Sequence, residues 1–158
     1  MPSPRLIADE MVGRLARYLR FLGCDTIYAR GWSDDEIVRR ARIEDRVVVT
    51  RDRQLSRRAG KAILLASSRL EDQVRAVRAA FPDLPTEVTF ERCTVCNGEL
   101  VPSTPARAGT GESGVPWDRV EAGLVLYQCR ACDHLYWEGS HTAEMRRRLR
   151  AWAPGPTE

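Results

Sequence analysis

Two different periods of apolar residues alternate along the first ninety residues of the chain. Short strand-like runs occupy residues 5–8, 25–29, 46–50 and 61–66. The stretches between and after them repeat their apolar residues at three- and four-residue spacing, as in Leu15, Leu19 and Leu22. The first pattern predicts strands and the second predicts amphipathic helices. The predicted order is β-α-β-α-β-(short α)-β-α.

Strands that alternate with helices predict an α/β fold with a parallel sheet and right-handed crossovers. The runs Val47–Val49 and Ile63–Leu65 contain no polar residue, which is typical of strands covered by helices on both faces. Ser33 and Ser68 are each followed three residues later by glutamate. This spacing predicts a capping box at the start of two helices.

The composition changes at residues 82–91, and shorter elements follow. We predict strands at 99–101, 124–128 and 135–137, a mobile Gly-, Ser- and Pro-rich loop at 102–114, and a helix at 140–152. The predicted organisation is therefore an α/β domain at 1–90, a small module with a short C-terminal helix at 91–150, and a flexible tail at 151–158.

Four of the five cysteines form two CxxC pairs, Cys93/Cys96 and Cys129/Cys132, with 32 residues between the pairs. Two such pairs can direct four thiolates at one tetrahedral Zn²⁺. A site closed by four thiolates is structural, so we expect one zinc ion that folds a zinc ribbon. A redox CxxC is the alternative, but it usually occurs once, in a thioredoxin-like unit. Cys24 is predicted to be a packing residue.

Aspartates follow the ends of three predicted strands. Asp9 follows the first strand, Asp34 begins the helix after the second, and Asp52 follows the third. Parallel sheets place functional groups beyond the carboxyl ends of their strands. Three carboxylates gathered there repel one another unless a divalent cation such as Mg²⁺ or Mn²⁺ neutralises them. The alternative is that Asp34 only caps a helix and that Asp52 only begins a turn.

The net charge of +3 is uneven along the chain. Residues 1–90 hold 17 Arg and Lys against 13 Asp and Glu, a charge of +4, and residues 91–158 hold 8 against 9, a charge of −1. Lys61 is the only lysine. Arginine forks match phosphate geometry and stack on bases, although a GC-rich genome also enriches arginine. We predict RNA-binding roles for six residues: Arg14, Arg51, Arg53, Arg57, Arg58 and His141.

Aromatic residues follow the second cysteine pair. Tyr136 and Trp137 either cover the thin core of a zinc ribbon, which we favour, or stack on bases. His141 either makes a polar contact at a helix start or binds phosphate.

With these features in view, the sequence resembles the PIN-like ribonucleases with an attached zinc ribbon, the Mut-seven C-terminal RNase family. The resemblance spans residues 5–149 and is carried by four segments in order: ADEMVGRLARYLRFLGCDT, SDDEIVRRARIEDRVVVTRDRQL, RCTVCNGEL and CRACDHLYWEGSHTAEMRRRL. It implies a PIN-like sheet flanked by helices, a metal-dependent acidic site and ribonuclease activity. Asp9, Asp34 and Asp52 match the family's acidic positions, with Asp35 as the alternative to Asp34. Glu71 and Asp72 are candidates for a further acidic group.

The leading hypothesis is an Mg²⁺- or Mn²⁺-dependent endoribonuclease that prefers single-stranded RNA and uses Asp9, Asp34 and Asp52 to hold the metal and activate water. Besides RNA, the ribosome and a protein inhibitor are the partners considered. The first rival is a non-catalytic RNA- or ribosome-binding adaptor, and the second is a small-molecule phosphohydrolase. No phosphate-cradling GxxxxGK[ST] or GxGxxG motif occurs.

A cytoplasmic location without a membrane partner is also expected. No apolar run approaches the roughly 20 residues of a membrane span, and the first residues lack the apolar core of a signal peptide.

Overall fold

A four-stranded parallel sheet with strand order β2-β1-β3-β4 forms the centre of the protein in the computed structural model, which describes residues 3–109 and 114–153. The strands are β1 (Arg5–Asp9), β2 (Asp25–Ala29), β3 (Val47–Thr50) and β4 (Ala62–Leu64). The central strand β1 pairs with β2 and β3, for example at Ile7 with Ile27 and with Val48. The predicted α/β class and parallel sheet are confirmed.

Helices cover both faces of this sheet. They are α1 (Gly13–Phe21), preceded by a 3-10 turn at Glu10–Val12, then α2 (Asp34–Ile43), α3 (Arg53–Ala59) and α4 (Leu70–Ala80). Helices α1 and α4 bury a large core around Leu6, Ala8 and Val49. Helices α2 and α3 bury a smaller core around Ile7 and Val48. The strands alternate their side chains between these two cores, which is why the valine run is buried on both faces.

One predicted helix start is confirmed and one is wrong. The Ser33 hydroxyl accepts a hydrogen bond from the N–H of Glu36, and α2 begins at Asp34. The box at Ser68 does not form, because α4 begins at Leu70 with Arg69 at its N-cap. Ser67 acts there instead: its hydroxyl accepts from the Arg69 N–H and donates to Asp72.

A second, antiparallel sheet follows, with strand order β5-β6-β7. Its strands are β5 (Leu100–Ser103), β6 (Leu126–Cys129) and β7 (Leu135–Trp137). The segment predicted as a loop at 102–114 contains the end of β5 and a short helix α5 (Pro105–Ala108), and its residues 110–113 lie outside the described part of the chain. A short helix α6 (Trp117–Glu121) precedes β6.

The last helix, α7 (Ser140–Ala151), packs on the first domain. Met145 and Leu149 are buried in the core between α1 and α4. Trp152 lies against Tyr18, with 5.3 Å between their ring centroids. Of the predicted tail, residues 154–158 lie outside the described residues. No helix in the described ranges is long and apolar enough to cross a membrane.

Polar contacts join the first cysteine turn, residues 93–97, to strand β2, which lies at one edge of the parallel sheet. Asn97 accepts a hydrogen bond from the backbone N–H of Thr26 and donates to Asp25, and its own φ is +70°. The buried guanidinium of Arg20 donates to the carbonyl oxygens of Thr94 and Val95. The contact at Thr26 occupies a backbone donor that an edge strand would otherwise expose.

Acid should weaken this junction through Asp25. Burial raises the pKa of Asp25, but hydrogen bonds from Arg46 and Asn97 outweigh burial and hold the pKa below its usual range. A carboxylate with a lowered folded pKa stabilises the fold above its unfolded pKa of about 3.9, and this contribution is lost as pH falls through the folded value. We therefore expect Asp25→Asn to lower the free energy of unfolding at pH 7 and to flatten its decline below about pH 4.

Denaturant melts between pH 3 and 7 measure this effect. Asp83→Asn removes the same charge away from the junction and serves as the control. Parallel pH profiles for the wild type and Asp25→Asn would contradict the expected role.

Candidate functional site

The carboxyl ends of the two central strands bring Asp9 and Asp52 to the same edge of the sheet. Asp9 ends β1 and is only 6% exposed. One of its oxygens accepts from the backbone N–H of Met11 at 2.9 Å, and the other accepts from the hydroxyl of Thr50, the last residue of β3. The Thr50 hydroxyl oxygen in turn accepts from the backbone N–H of Asp52 at 2.9 Å. Thr50 therefore links the two aspartates, and both oxygens of Asp9 are fixed.

Asp52 is exposed and caps helix α3. Its Oδ1 accepts from the N–H groups of Gln54 and Leu55, at 2.8 and 3.1 Å. Its Oδ2 accepts no hydrogen bond from any described residue. The helix cap that explains Asp52 without a metal is therefore real, but it uses one oxygen and leaves the other for a ligand.

Asp34 and Asp35 begin helix α2, which follows the end of strand β2 at this edge. Asp34 is half-buried and makes no ion pair with a described residue. Asp35 is exposed and pairs with Arg58 of α3, so it ties two helices together. The side chains thus differ in availability, and Asp34 is the freer of the two.

A tyrosine fixes the turn that carries Asp9. Tyr28, the penultimate residue of β2, donates its hydroxyl to the carbonyl oxygen of Glu10 at 2.8 Å. A Cβ at Gly13 would lie 2.8 Å from the Tyr28 ring. Glycine at this position therefore lets the ring sit over the start of α1.

These acidic residues do not form a tight cluster. Within residues 3–109 and 114–153, the four paired cysteines form the only group of three or more potential metal ligands whose ligand atoms all lie within 4.8 Å of one another. Mg²⁺, however, keeps several waters and is often bound through one or two carboxylates together with substrate phosphates. The edge supplies hard oxygen ligands of the kind that Mg²⁺ or Mn²⁺ prefers.

Four of the predicted RNA-binding arginines surround Asp52. Arg51, Arg53, Arg57 and Arg58 are all exposed, on the turn after β3 and on α3. Arg58 is engaged by Asp35. The other three form no ion pair with a described residue.

A cationic pocket of about 350 Å³ lies at the same edge, between the starts of α1 and α4 and the end of α7. Arg14, Arg69, Arg148 and Trp152 line it together with Leu70 and Glu71. The sequence predicts an RNA-binding role for Arg14. It does not single out Arg69, Arg148 or Trp152. Arg148 and Trp152 are remote in sequence, and no local motif marks them. We call this feature the arginine pocket.

The candidates for a further acidic group are tied to their own neighbours. Asp72 accepts from the Ser67 hydroxyl at 2.8 Å and lies 3.9 Å from Arg75. Glu71 pairs with Arg69 at 2.5 Å. Both therefore have structural partners on α4 or at its start.

The four paired cysteines converge at the base of the antiparallel sheet. Sγ of Cys93 lies 3.7 Å from Sγ of Cys132, and Sγ of Cys96 lies 3.5 Å from Sγ of Cys129. A tetrahedral Zn²⁺ with Zn–S bonds of about 2.3 Å separates its sulfurs by about 3.8 Å. The donor set and spacing fit structural zinc, as predicted. Asn97 and Asp133, each directly after a pair, form tight turns with φ values of +70° and +64°.

The surroundings of these thiols favour a cation. Burial raises the pKa of Cys93, but hydrogen bonds from Tyr136 and from backbone N–H groups lower it to about 7. Burial and the neighbouring thiols raise the pKa of Cys96 to about 12. Four thiolates cannot coexist here without a compensating charge, which Zn²⁺ supplies.

Tyr136 and His141 lie on the side of the zinc ribbon that faces α1. The Tyr136 hydroxyl accepts from the N–H of Thr94 at 3.0 Å and lies 3.1 Å from Sγ of Cys93. It therefore supports the cysteine turn, in keeping with the favoured structural role. His141 is exposed and far from the acidic edge, beside Phe21 of α1.

Comparison with known proteins identifies one family. The sequence model described as the Mut7-C RNAse domain matches residues 4–149, nearly the whole chain. No curated protein and no solved structure matches the chain.

Proposed function

Because the chain belongs to the Mut7-C RNase domain family, we propose that it is an Mg²⁺- or Mn²⁺-dependent endoribonuclease acting on single-stranded RNA. Family membership supports a ribonuclease. The choice of metal, strand preference and internal cleavage rest on the chemistry of the edge formed by Asp9, Asp34 and Asp52.

The observation that carries the proposal is the coupling of Asp9 and Asp52 through Thr50. Two carboxylates at the ends of different strands are held at fixed positions, and one oxygen of Asp52 accepts no hydrogen bond from the residues that the structure describes. Asp9 caps the 3-10 turn Glu10–Val12 through one oxygen, but capping requires neither a carboxylate that is only 6% exposed nor the hydrogen bond from Thr50 to its other oxygen. A metal-binding role explains why Asp9 is buried there and fully hydrogen-bonded.

In this proposal Asp9, Asp52 and Asp34 hold the ion, and Thr50 orients Asp9. When bound, the ion neutralises phosphate charge and lowers the pKa of a water. The residues of the chain position the scissile phosphodiester and exclude competing geometries. The hydroxyl of Thr50 and the N–H of Met11 keep the Asp9 oxygens in place.

The arginines suggest the path of the RNA. The exposed arginines of α3 lie on one side of the acidic edge, and the arginine pocket lies on the α1–α4 side. A strand that crosses the edge would therefore meet guanidinium groups before and after the cleavage position. This arrangement accommodates an internal phosphodiester and favours endonucleolytic cleavage.

The experiment is RNA cleavage under defined metal conditions. The zinc-loaded protein is dialysed without a chelator and incubated with a circular single-stranded RNA, a linear one and a duplex, with Mg²⁺, Mn²⁺, Ca²⁺ or no added ion. We expect the circular RNA to be opened with Mg²⁺ or Mn²⁺ only, and the duplex to react at least about tenfold more slowly.

The rivals predict different outcomes. Salt-sensitive RNA binding without cleavage in any metal would support an adaptor and reject the nuclease. Hydrolysis of free nucleotides with intact RNA would support the small-molecule phosphohydrolase.

A further inference from the structure

A cavity of about 750 Å³ lies at the other end of α1. It is enclosed by the outer side of α1, the first cysteine turn and the segment that joins β7 to α7. Its size is in the range of small-ligand sites. We call it the ribbon cavity, because it separates the zinc ribbon from α1.

Aromatic rings and one guanidinium line the ribbon cavity. The rings of Phe21 and His141 are 6.2 Å apart, and those of His134 and Tyr136 are 4.9 Å apart. The Arg17 guanidinium lies 5.8 Å from the centre of the Phe21 ring. Such faces bind planar, electron-rich groups by stacking and by cation–π contact.

The charge of the cavity points to an anion. Among the residues that the structure describes, none that lines the cavity is an aspartate or a glutamate. Arg17 is exposed and makes no ion pair with a described residue. Both histidines of the chain line the cavity. A guanidinium without an ion-pair partner among the described residues, beside exposed aromatic rings, suits a ligand that carries a phosphate and a flat ring at once.

We propose that the ribbon cavity binds one nucleotide of single-stranded RNA, with its base against His141 and Trp137 and its phosphate on Arg17. The inference rests on the proposed function for its choice of RNA. Arg17 lies at the middle of α1 and Phe21 at its end, so roughly 6 to 13 Å of this helix separates them from its start at the acidic edge. The bound nucleotide is therefore a flanking one and not the one at the scissile bond.

A binding titration tests the proposal without interference from cleavage. The background is Asp52→Asn, and the probe is a fluorescein-labelled 12-nucleotide single-stranded RNA. The double variant R17A/H141A is expected to bind about tenfold or more weakly, because one stacked base and one phosphate contact are lost. Arg17 and His141 are exposed, so their removal leaves the core intact.

Arg39→Ala is the matched control, since Arg39 is an exposed helical arginine on α2, on the opposite face of the sheet. It removes the same charge as Arg17→Ala and should weaken binding by no more than about twofold through the general electrostatic term. Equal loss in Arg17→Ala and Arg39→Ala, or wild-type affinity in R17A/H141A, would overturn the proposal.

Crosslinking gives a second measurement that does not depend on a substitution. A 5-bromouridine RNA is irradiated with the Asp52→Asn protein, and the crosslinked peptides are identified by mass spectrometry. Crosslinks within residues 134–142 support the cavity. Their absence, with crosslinks found only around the arginine pocket, rejects it.

Cleavage data separate the two proposals. A dinucleotide substrate is too short to reach the ribbon cavity, so R17A/H141A should cleave it like the wild type. If the wild type cleaves no RNA while R17A/H141A still loses affinity, the nuclease proposal fails and the cavity remains an RNA site. If cleavage occurs and the affinity is unchanged, only the cavity proposal fails.

Discussion

Asp9→Asn should lower kcat for RNA cleavage at least about a hundredfold, which is roughly 3 kcal/mol of transition-state free energy. Asparagine keeps the shape of the side chain and can still accept from the Met11 N–H, so the turn after β1 survives. It removes the negative charge that the proposed site needs. Single-turnover cleavage at saturating Mg²⁺, with circular dichroism to confirm folding, measures the change.

Asp52→Asn should have an effect of similar size for the same reason. Asparagine is as good a helix cap as aspartate, so its carbonyl oxygen can keep the capping of Gln54 and Leu55, while an NH2 group that cannot bind a cation replaces the free oxygen. This substitution separates the two roles of Asp52. Undiminished cleavage by a folded Asp52→Asn protein would reject a catalytic role and leave only the cap.

Asp45→Asn is the control for both substitutions. Asp45 lies before β3, at the amino end of the strand, and pairs with Lys61 at 2.6 Å. Its φ of +51° is a conformation that asparagine tolerates well. The variant removes the same charge at the other end of the sheet and should cleave like the wild type.

Arg14→Ala, in the arginine pocket, should raise KM for RNA with a smaller effect on kcat, because the substitution removes an RNA contact and leaves the metal-binding carboxylates in place.

Loss of zinc should unfold the ribbon. Cys129→Ser, or removal of the ion with a strong chelator, is expected to abolish amide protection in β5, β6 and β7. The two small apolar clusters of the ribbon are thin, and structural zinc supplies about 10 kcal/mol or more in comparable modules. Hydrogen exchange with mass spectrometry measures protection segment by segment, and elemental analysis gives one zinc per chain in the wild type.

The α/β sheet should outlast the ribbon in the same experiment. Strands β1 and β3 are buried by their own helices, and the first cysteine turn contacts this domain through the hydrogen bonds of Asn97 and Arg20. Cys24→Ser is the control, since Cys24 is a buried thiol outside the cysteine cluster that donates to the Pro4 carbonyl oxygen. A Cys129→Ser protein that keeps one zinc and full protection would refute the structural assignment.

Much of the fold could be predicted from the spacing of apolar residues and helix caps along the chain. The valine run predicted a strand buried on both faces, and the spacing of Ser33 and Glu36 placed the start of α2 at the right residue. Ser68 misled because Ser67, one residue earlier, makes the hydrogen bonds at the start of α4. Capping choices of this kind depend on the direction of the incoming chain, which spacing alone does not specify.

Site residues were predictable where chemistry and spacing coincide. The cysteine pairs are in this class, because two knuckles need no tertiary information to suggest a ligand set. Thr50 became visible as a link only when β1 and β3 were seen side by side. Arg148 and Trp152 line the arginine pocket because α7 packs back on the first domain, where Met145 and Leu149 are buried in its core. Their helix alone looks like a basic surface helix.

The return of α7 has a consequence for synthesis on the ribosome. Leu149 is wholly buried in the core between α1 and α4, yet it is translated after every other element described here. Until it emerges from the exit tunnel, the nascent chain exposes an apolar groove beside Tyr18. The α/β domain can therefore reach its final stability only after translation of the ribbon, and a stalled chain lacking the last helix would be a natural client for chaperones or proteases.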